Sequence, residues 1–75
     1  MTFCNKCLNI SDYTGYTISD RLRRAGEYCQ KGPAGGNDAL YEVECGITTL
    51  LEKNGCSNCL DGMRAFKMQL ESLMK

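Results

Sequence analysis

Three stretches of helical apolar periodicity, and one Cys-x-x-Cys word near each end of the chain, predict a mainly α fold. The expected architecture is a small three-helix domain with a thiol-bearing knuckle at its N-terminus and the second CxxC word on the first turn of the last helix. The 75 residues are expected to form a single domain, 1–75. A chain of this size buries only about 60–65% of its unfolded surface, so its core is marginal without a staple. The six cysteines are the obvious source of one.

The knuckle is Cys4-Asn5-Lys6-Cys7, with turn-forming residues between the thiols. Asn9 to Gly15 is rich in turn formers and predicts a loop, with Ile10, Tyr13 and Tyr16 available to pack. Thr17-Ile18-Ser19-Asp20 fits a capping box, a hydroxyl acceptor with a carboxylate three residues on, and opens a first helix to about Lys31. Its apolar stripe is Ile18, Leu22, Ala25 and Cys29, with Arg21, Arg23, Arg24 and Glu27 largely off it. Lys31-Gly32-Pro33-Ala34-Gly35-Gly36 ends that helix and predicts a flexible loop.

Asn37 or Asp38 is expected to cap a second helix running to about Lys53, with Leu40, Val43, Ile47, Leu50 and Leu51 on one face and Tyr41 and Cys45 on its flank. Gly46 inside it reads either as room for a close helix crossing or as a tolerated surface glycine. Asn54-Gly55 is a stop signal. Cys56-Ser57-Asn58-Cys59 follows, with Asn58 and Asp61 spaced like an N-cap pair, and the last helix carries Met63, Phe66, Leu70, Leu73 and Met74.

Two CxxC turns can each present a pair of thiolates to one ion and complete a tetrahedron at about 2.3 Å per Zn–S bond. The helix N-terminus at Cys56 and Cys59 favours thiolates through exposed N–H groups. The segment between the words carries two helices, which can bring the ends together. One structural zinc per chain, on Cys4, Cys7, Cys56 and Cys59, is the expected cofactor. Disulfide chemistry and iron–sulfur ligation are the competing readings, the former weakened because no βαβ pattern surrounds either word. Four thiolates leave no open position on the metal, so the site is expected to be structural.

An N-terminal knuckle with a second CxxC on a terminal helix resembles the outline of treble-clef zinc fingers. The resemblance rests on Cys4, Cys7, Cys56 and Cys59 and their flanks. Leu8 stands where a glycine often follows the first pair, and two helices replace the usual β-hairpin. What the resemblance implies is the arrangement of the staple; such fingers serve nucleic-acid binding, protein binding and stabilisation alike.

Cys29 reads as a small buried hydrophobe, and Cys45 as a thiol that packs against the first or last helix, stays exposed at an interface, or bonds Cys29 under oxidation. No histidine is present, nor a GxSxG, P-loop or dinucleotide fingerprint, so no catalytic residue is assigned and an enzyme is not expected. Nine basic and nine acidic side chains balance, and a zinc-loaded site would bring the domain to about −2, which is not the charge of a generic phosphate binder. No run approaches the ~18 apolar residues of a membrane span, and the first residues lack the apolar stretch of a signal peptide; a reducing cytoplasm is the expected location.

The expected function is that of a small non-enzymatic intracellular regulator that binds another protein, with a homodimer as a supplement. In size and style such chains resemble accessory regulators and host-modulating inhibitors of bacteria, their phages and mobile elements. Arg21, Arg23, Arg24, Tyr28 and Tyr41 are the expected contact residues, since Tyr and Arg dominate hot spots. One alternative is a nucleic-acid-binding zinc finger using the Arg21/Arg23/Arg24 helix, weakened because aromatics do not interleave with the arginines. The other is thiol–disulfide redox chemistry.

Overall fold

The computed structural model describes residues 3–73, apart from the side chain of Pro33. It is mainly helical, with no strand among the described residues. Among the described residues four helices follow in order: α1 (Asn5–Leu8), α2 (Ile18–Cys29), α3 (Gly36–Glu52) and α4 (Ser57–Leu73), with a 3-10 turn over Gly32–Gly35 between α2 and α3. α3 is the central element, packed against both α2 and α4, which approach each other over Gly46. Both pairs are antiparallel: Ile18 lies near Gly46 and Arg21 near Glu42, while Met63 lies near Gly46 and Lys67 near Glu44.

The 10–17 loop forms because Asp12, Thr14 and Gly15 make a tight turn. The Gly15 N–H donates to the Asp12 carbonyl at 3.1 Å, and the Asp12 N–H to the Tyr16 carbonyl at 2.8 Å. Gly15 takes φ +91°, where a side chain would be strained. The chain then enters α2 through the capping box expected at Thr17: its hydroxyl accepts from the Asp20 N–H at 3.1 Å, and the Asp20 carboxylate accepts from the Thr17 N–H at 3.0 Å.

The buried face of α2 is Ile18, Arg21 and Ala25. Two expectations are corrected here. Arg21 is buried because two carboxylates neutralise it, as described below. Cys29 is exposed rather than a buried member of the stripe, because α2 ends at it, short of the expected Lys31.

The glycine-rich stretch after α2 is structured, contrary to the flexible loop expected. A Cβ on Gly35 would lie 2.0 Å from the Tyr28 carbonyl oxygen, so the 3-10 turn packs directly on the last turn of α2. α3 consequently begins at Gly36 with Gly35 as its cap and no side-chain cap, and neither Asn37 nor Asp38 serves.

The buried positions of α3 are Ala39, Glu42, Val43, Gly46, Thr49 and Leu50, an i, i+3, i+4, i+7 stripe with two polar members. Leu40 and Ile47 are partly buried at its margins, and Leu51 is 54% exposed rather than part of it. Gly46 does allow the close crossing expected, since a Cβ there would lie 2.3 Å from Met63 Cε. The two glycines should therefore respond differently to alanine. At Gly46 the obstacle is the end of a flexible side chain, and the gain in helix propensity offsets much of the strain. At Gly35 it is backbone, so Gly35→Ala should cost about 2 kcal/mol while Gly46→Ala stays within about 1, measured by urea unfolding.

α3 ends as its sequence signal implies. Asn54 takes the left-handed conformation (φ 57°), and the Gly55 N–H bonds the Leu50 carbonyl at 2.7 Å, the long-range bond of a Schellman motif. This stop delivers Cys56 to the start of α4. There Cys59, Gly62, Met63 and Leu70 are buried and Phe66 partly so, whereas Leu73 is 81% exposed. The expected stripe thus ends at Leu70 among the described residues; Met74 lies outside them.

Candidate metal centre

Both CxxC words fold the same way, as the first turn of a helix. Cys4 is the extended N-cap of α1 and Cys7 lies within it; Cys56 immediately precedes α4 and Cys59 lies on its first turn. The expectation of a separate N-cap at Asn58 is corrected, since α4 begins at Ser57. Each second cysteine is followed by a leucine, Leu8 or Leu60, that packs against the core and fixes the orientation of its turn.

The two turns meet in a pseudo-two-fold arrangement. The Cys4 N–H donates to Cys59 Sγ at 3.3 Å, and the Cys56 N–H donates to Cys7 Sγ at 3.3 Å. Within each word the second N–H faces the first sulfur: Cys59 N–H to Cys56 Sγ at 3.4 Å, and Cys7 N–H to Cys4 Sγ. All four sulfurs lie within 4.8 Å of one another. The cross-word separations are 3.7 Å for Cys4–Cys56 and 3.6 Å for both Cys7–Cys56 and Cys4–Cys59. None is a disulfide, and the spacing can hold a metal ion.

Burial divides the thiols unequally. Cys7 and Cys59 are 2% and 1% exposed, whereas Cys4 and Cys56 face solvent. Titration of the thiols follows. The Cys7 N–H, with thiol neighbours, lowers Cys4 to about 7. Burial pushes Cys59 up to about 12 against the pull of the Cys4 N–H. At Cys7 the Cys56 N–H pulls down, but burial and the neighbouring thiols carry the group net upward. An ion bound here would displace protons from the buried pair, so metal affinity should fall as pH is lowered.

No family model matches the chain, and no curated protein or solved structure matches it either. The likeness to treble-clef fingers therefore stays with the four cysteines and the helix that carries Cys59; the element between the words is helical here. No helix among the described residues is long and apolar enough to cross a membrane.

The residues expected to contact partners separate into two groups. Arg21 and Arg24 turn inward. Arg21 Nη1 donates to Glu42 Oε1 at 2.7 Å and its Nε to Asp12 Oδ2 at 2.9 Å, with the three side chains 4–6% exposed. Arg24 Nε donates to the same Glu42 oxygen at 3.0 Å. The Tyr16 ring covers both guanidinium groups at 4.9 and 4.8 Å. Burial works against the Arg21 charge, but Glu42 and Asp12 outweigh it, so the guanidinium stays protonated. Burial likewise raises Asp12, yet hydrogen bonds from Thr14 and Arg21 hold it below its ordinary value.

Arg23, Tyr28 and Tyr41 remain closer to solvent. Arg23 is exposed and paired with Glu27 and Asp20. Tyr28 is half-buried beside Arg24 and Lys31. Tyr41 is 56% exposed and lines a groove with Tyr13, Glu44, Cys45, Thr48 and Glu52. Sequence reasoning missed the Asp12–Arg21–Glu42–Arg24 network. Its one signal is Glu42, placed in the register of Ala39, Val43 and Gly46, where a carboxylate demands a buried cation.

Proposed function

We propose that the four thiolates bind one zinc ion as a structural staple, and that the protein is a small intracellular regulator acting by binding another protein. For zinc, the support is metric. A ZnS4 tetrahedron with bonds of about 2.3 Å has edges of about 3.8 Å, close to the cross-word sulfur separations of 3.6 and 3.7 Å. An iron–sulfur cluster, in which thiolates ligate different irons, would hold the sulfurs further apart.

The observation that carries the binding role is the tyrosine groove between the 10–17 loop and α3. Tyr13 is 93% and Tyr41 56% exposed, an arrangement that leaves two large amphipathic rings without cover. The arginines favour protein over nucleic acid as the partner, since Arg21 and Arg24 are committed to Asp12 and Glu42. The mechanism is one of presentation. The metal joins the N-terminal turn to α4, α4 supports α3, and α3 with the buried ion pairs holds the 10–17 loop and its tyrosines in place.

Affinity capture of the tagged protein from its native cell, with and without nuclease, tests this. A partner protein should be retained under both conditions and lost with a Tyr13→Ala/Tyr41→Ala variant of unchanged circular dichroism. Capture abolished by nuclease would support the nucleic-acid reading instead.

A further inference from the structure

The unequal burial of the four thiols bears on how the site can be modified. Each CxxC word contributes one exposed cysteine, Cys4 or Cys56, and one buried cysteine, Cys7 or Cys59. The sulfurs of the two exposed cysteines are neighbours across the pseudo-two-fold, 3.7 Å apart. Either cysteine pair within a word includes a buried member, as do the cross-word pairs Cys7–Cys56 and Cys4–Cys59. An oxidant approaching from solvent therefore meets only one pair in which both partners are accessible.

We propose that Cys4 and Cys56 form an oxidation site for hydroperoxides, and that their oxidation replaces the metal staple with a covalent one; this inference rests on the metal reading above. In the first step a solvent-facing thiolate attacks the peroxide, breaking the O–O bond to give a sulfenic acid and expelling alkoxide, or hydroxide from hydrogen peroxide, which takes a proton from water to leave as alcohol or water. In the second step the other solvent-facing thiolate attacks that sulfur, forming the S–S bond and expelling hydroxide, which is protonated to water. Two sulfurs lose two electrons in all, and the peroxide gains them. Closing the bond requires the sulfurs to move from 3.7 Å to about 2.05 Å. The ion is then left with Cys7 and Cys59 alone, two of its four ligands, and departs.

The choice of pair determines what happens to the fold. A Cys4–Cys56 bond spans the same two ends that the metal joined, so the helices stay assembled after the metal leaves. Disulfides within each word, Cys4–Cys7 and Cys56–Cys59, would leave the ends untied. Oxidation through the solvent-facing pair thus converts a metal-loaded form into a metal-free folded form, and a thiol reductant with added zinc reverses it.

The test uses full-length zinc-loaded protein carrying Cys29→Ala and Cys45→Ala, so that only the four clustered thiols react. Hydrogen peroxide is added, zinc release is followed with a chromogenic chelator, and helicity is followed by circular dichroism. The disulfide is mapped on unreduced tryptic peptides. The expected result is about one zinc released per disulfide formed and helicity retained. The peptide Met1–Lys6 should be linked to Asn54–Arg64, with fragmentation placing the bond on Cys56. Disulfides confined to each word, any other pairing, or zinc retained after excess peroxide would overturn the proposal. Protein that purifies without metal under reducing conditions would instead refute the metal reading on which it rests.

Discussion

Cys59→Ser should unfold this protein or leave it largely unfolded. Cys59 contributes a sulfur to the cluster, is 1% exposed, and accepts the Cys4 N–H through that sulfur. Serine offers a much weaker zinc ligand, and its hydroxyl would be buried. Under the proposed zinc reading, removing the metal from the wild-type chain should have the same consequence, because the binding free energy of a structural site is folding free energy. The whole stability of a 75-residue domain is roughly 4–11 kcal/mol, less than the ~10–16 kcal/mol of apparent binding seen for structural zinc. A chelator titration followed by far-UV circular dichroism is the check, with helicity expected to fall in step with metal content. Cys29→Ser, on the exposed end of α2, should leave both metal content and helicity unchanged.

The second large effect is expected at Glu42. One carboxylate oxygen accepts from both Arg21 and Arg24, and it is the only acidic group that α3 supplies to that buried network. Glu42→Leu leaves Arg21 with Asp12 alone and Arg24 with none of its carboxylate bonding, so the cost should be about 3–5 kcal/mol. Glu42→Gln, which keeps an acceptor but not the charge, should cost less. Arg23→Ala is the contrast: its side chain is 62% exposed beside Glu27 and Asp20, and its loss should cost under about 1 kcal/mol. Urea unfolding of the zinc-loaded variants measures all three.

The network also gives stability a pH dependence with a definite sign. Asp12 is held below its ordinary value of 3.8 in the folded state. Its contribution is therefore fully present above that value and is lost as pH falls through the lower folded value. Protonation of the thiolates removes metal in the same direction, so acid should act twice on this fold. Asp12→Asn should flatten the acid limb of a stability curve recorded at constant metal occupancy.

The secondary structure was legible in the sequence where local chemistry decides it. The Thr17–Asp20 capping box and the Asn54-Gly55 stop each carry their own hydrogen-bonding partners, and the structure uses both. The cysteine spacing likewise announced the cluster, because two CxxC turns have little else to do in one small domain. What stayed hidden depends on contacts between distant segments. The burial of Arg21 follows from Glu42, 21 positions away, and from Asp12 on a loop. The 3-10 turn follows from the backbone of α2 touching Gly35, which no local pattern encodes. Leu51 leaves the expected stripe because the buried face of α3 runs through Ala39, Glu42, Val43, Gly46 and Leu50, and Thr49, which the apolar pattern passed over, lies on that face.

The pairing of an exposed and a buried sulfur in each word was equally invisible. It arises because the two helical turns dock face to face, each burying the cysteine that lies inside its helix. Leu8 and Leu60, which follow the two words at the same offset, were its one trace in the sequence.

The proposed staple depends on four sulfurs holding one zinc ion. X-ray absorption at the zinc edge, on protein purified under reducing conditions and shown by native mass spectrometry to carry its metal, tests it most directly. One zinc per chain with a ligand shell of four sulfurs at about 2.3 Å is the expected result. A shell containing nitrogen or oxygen, or a folded protein carrying no metal at all, would contradict it.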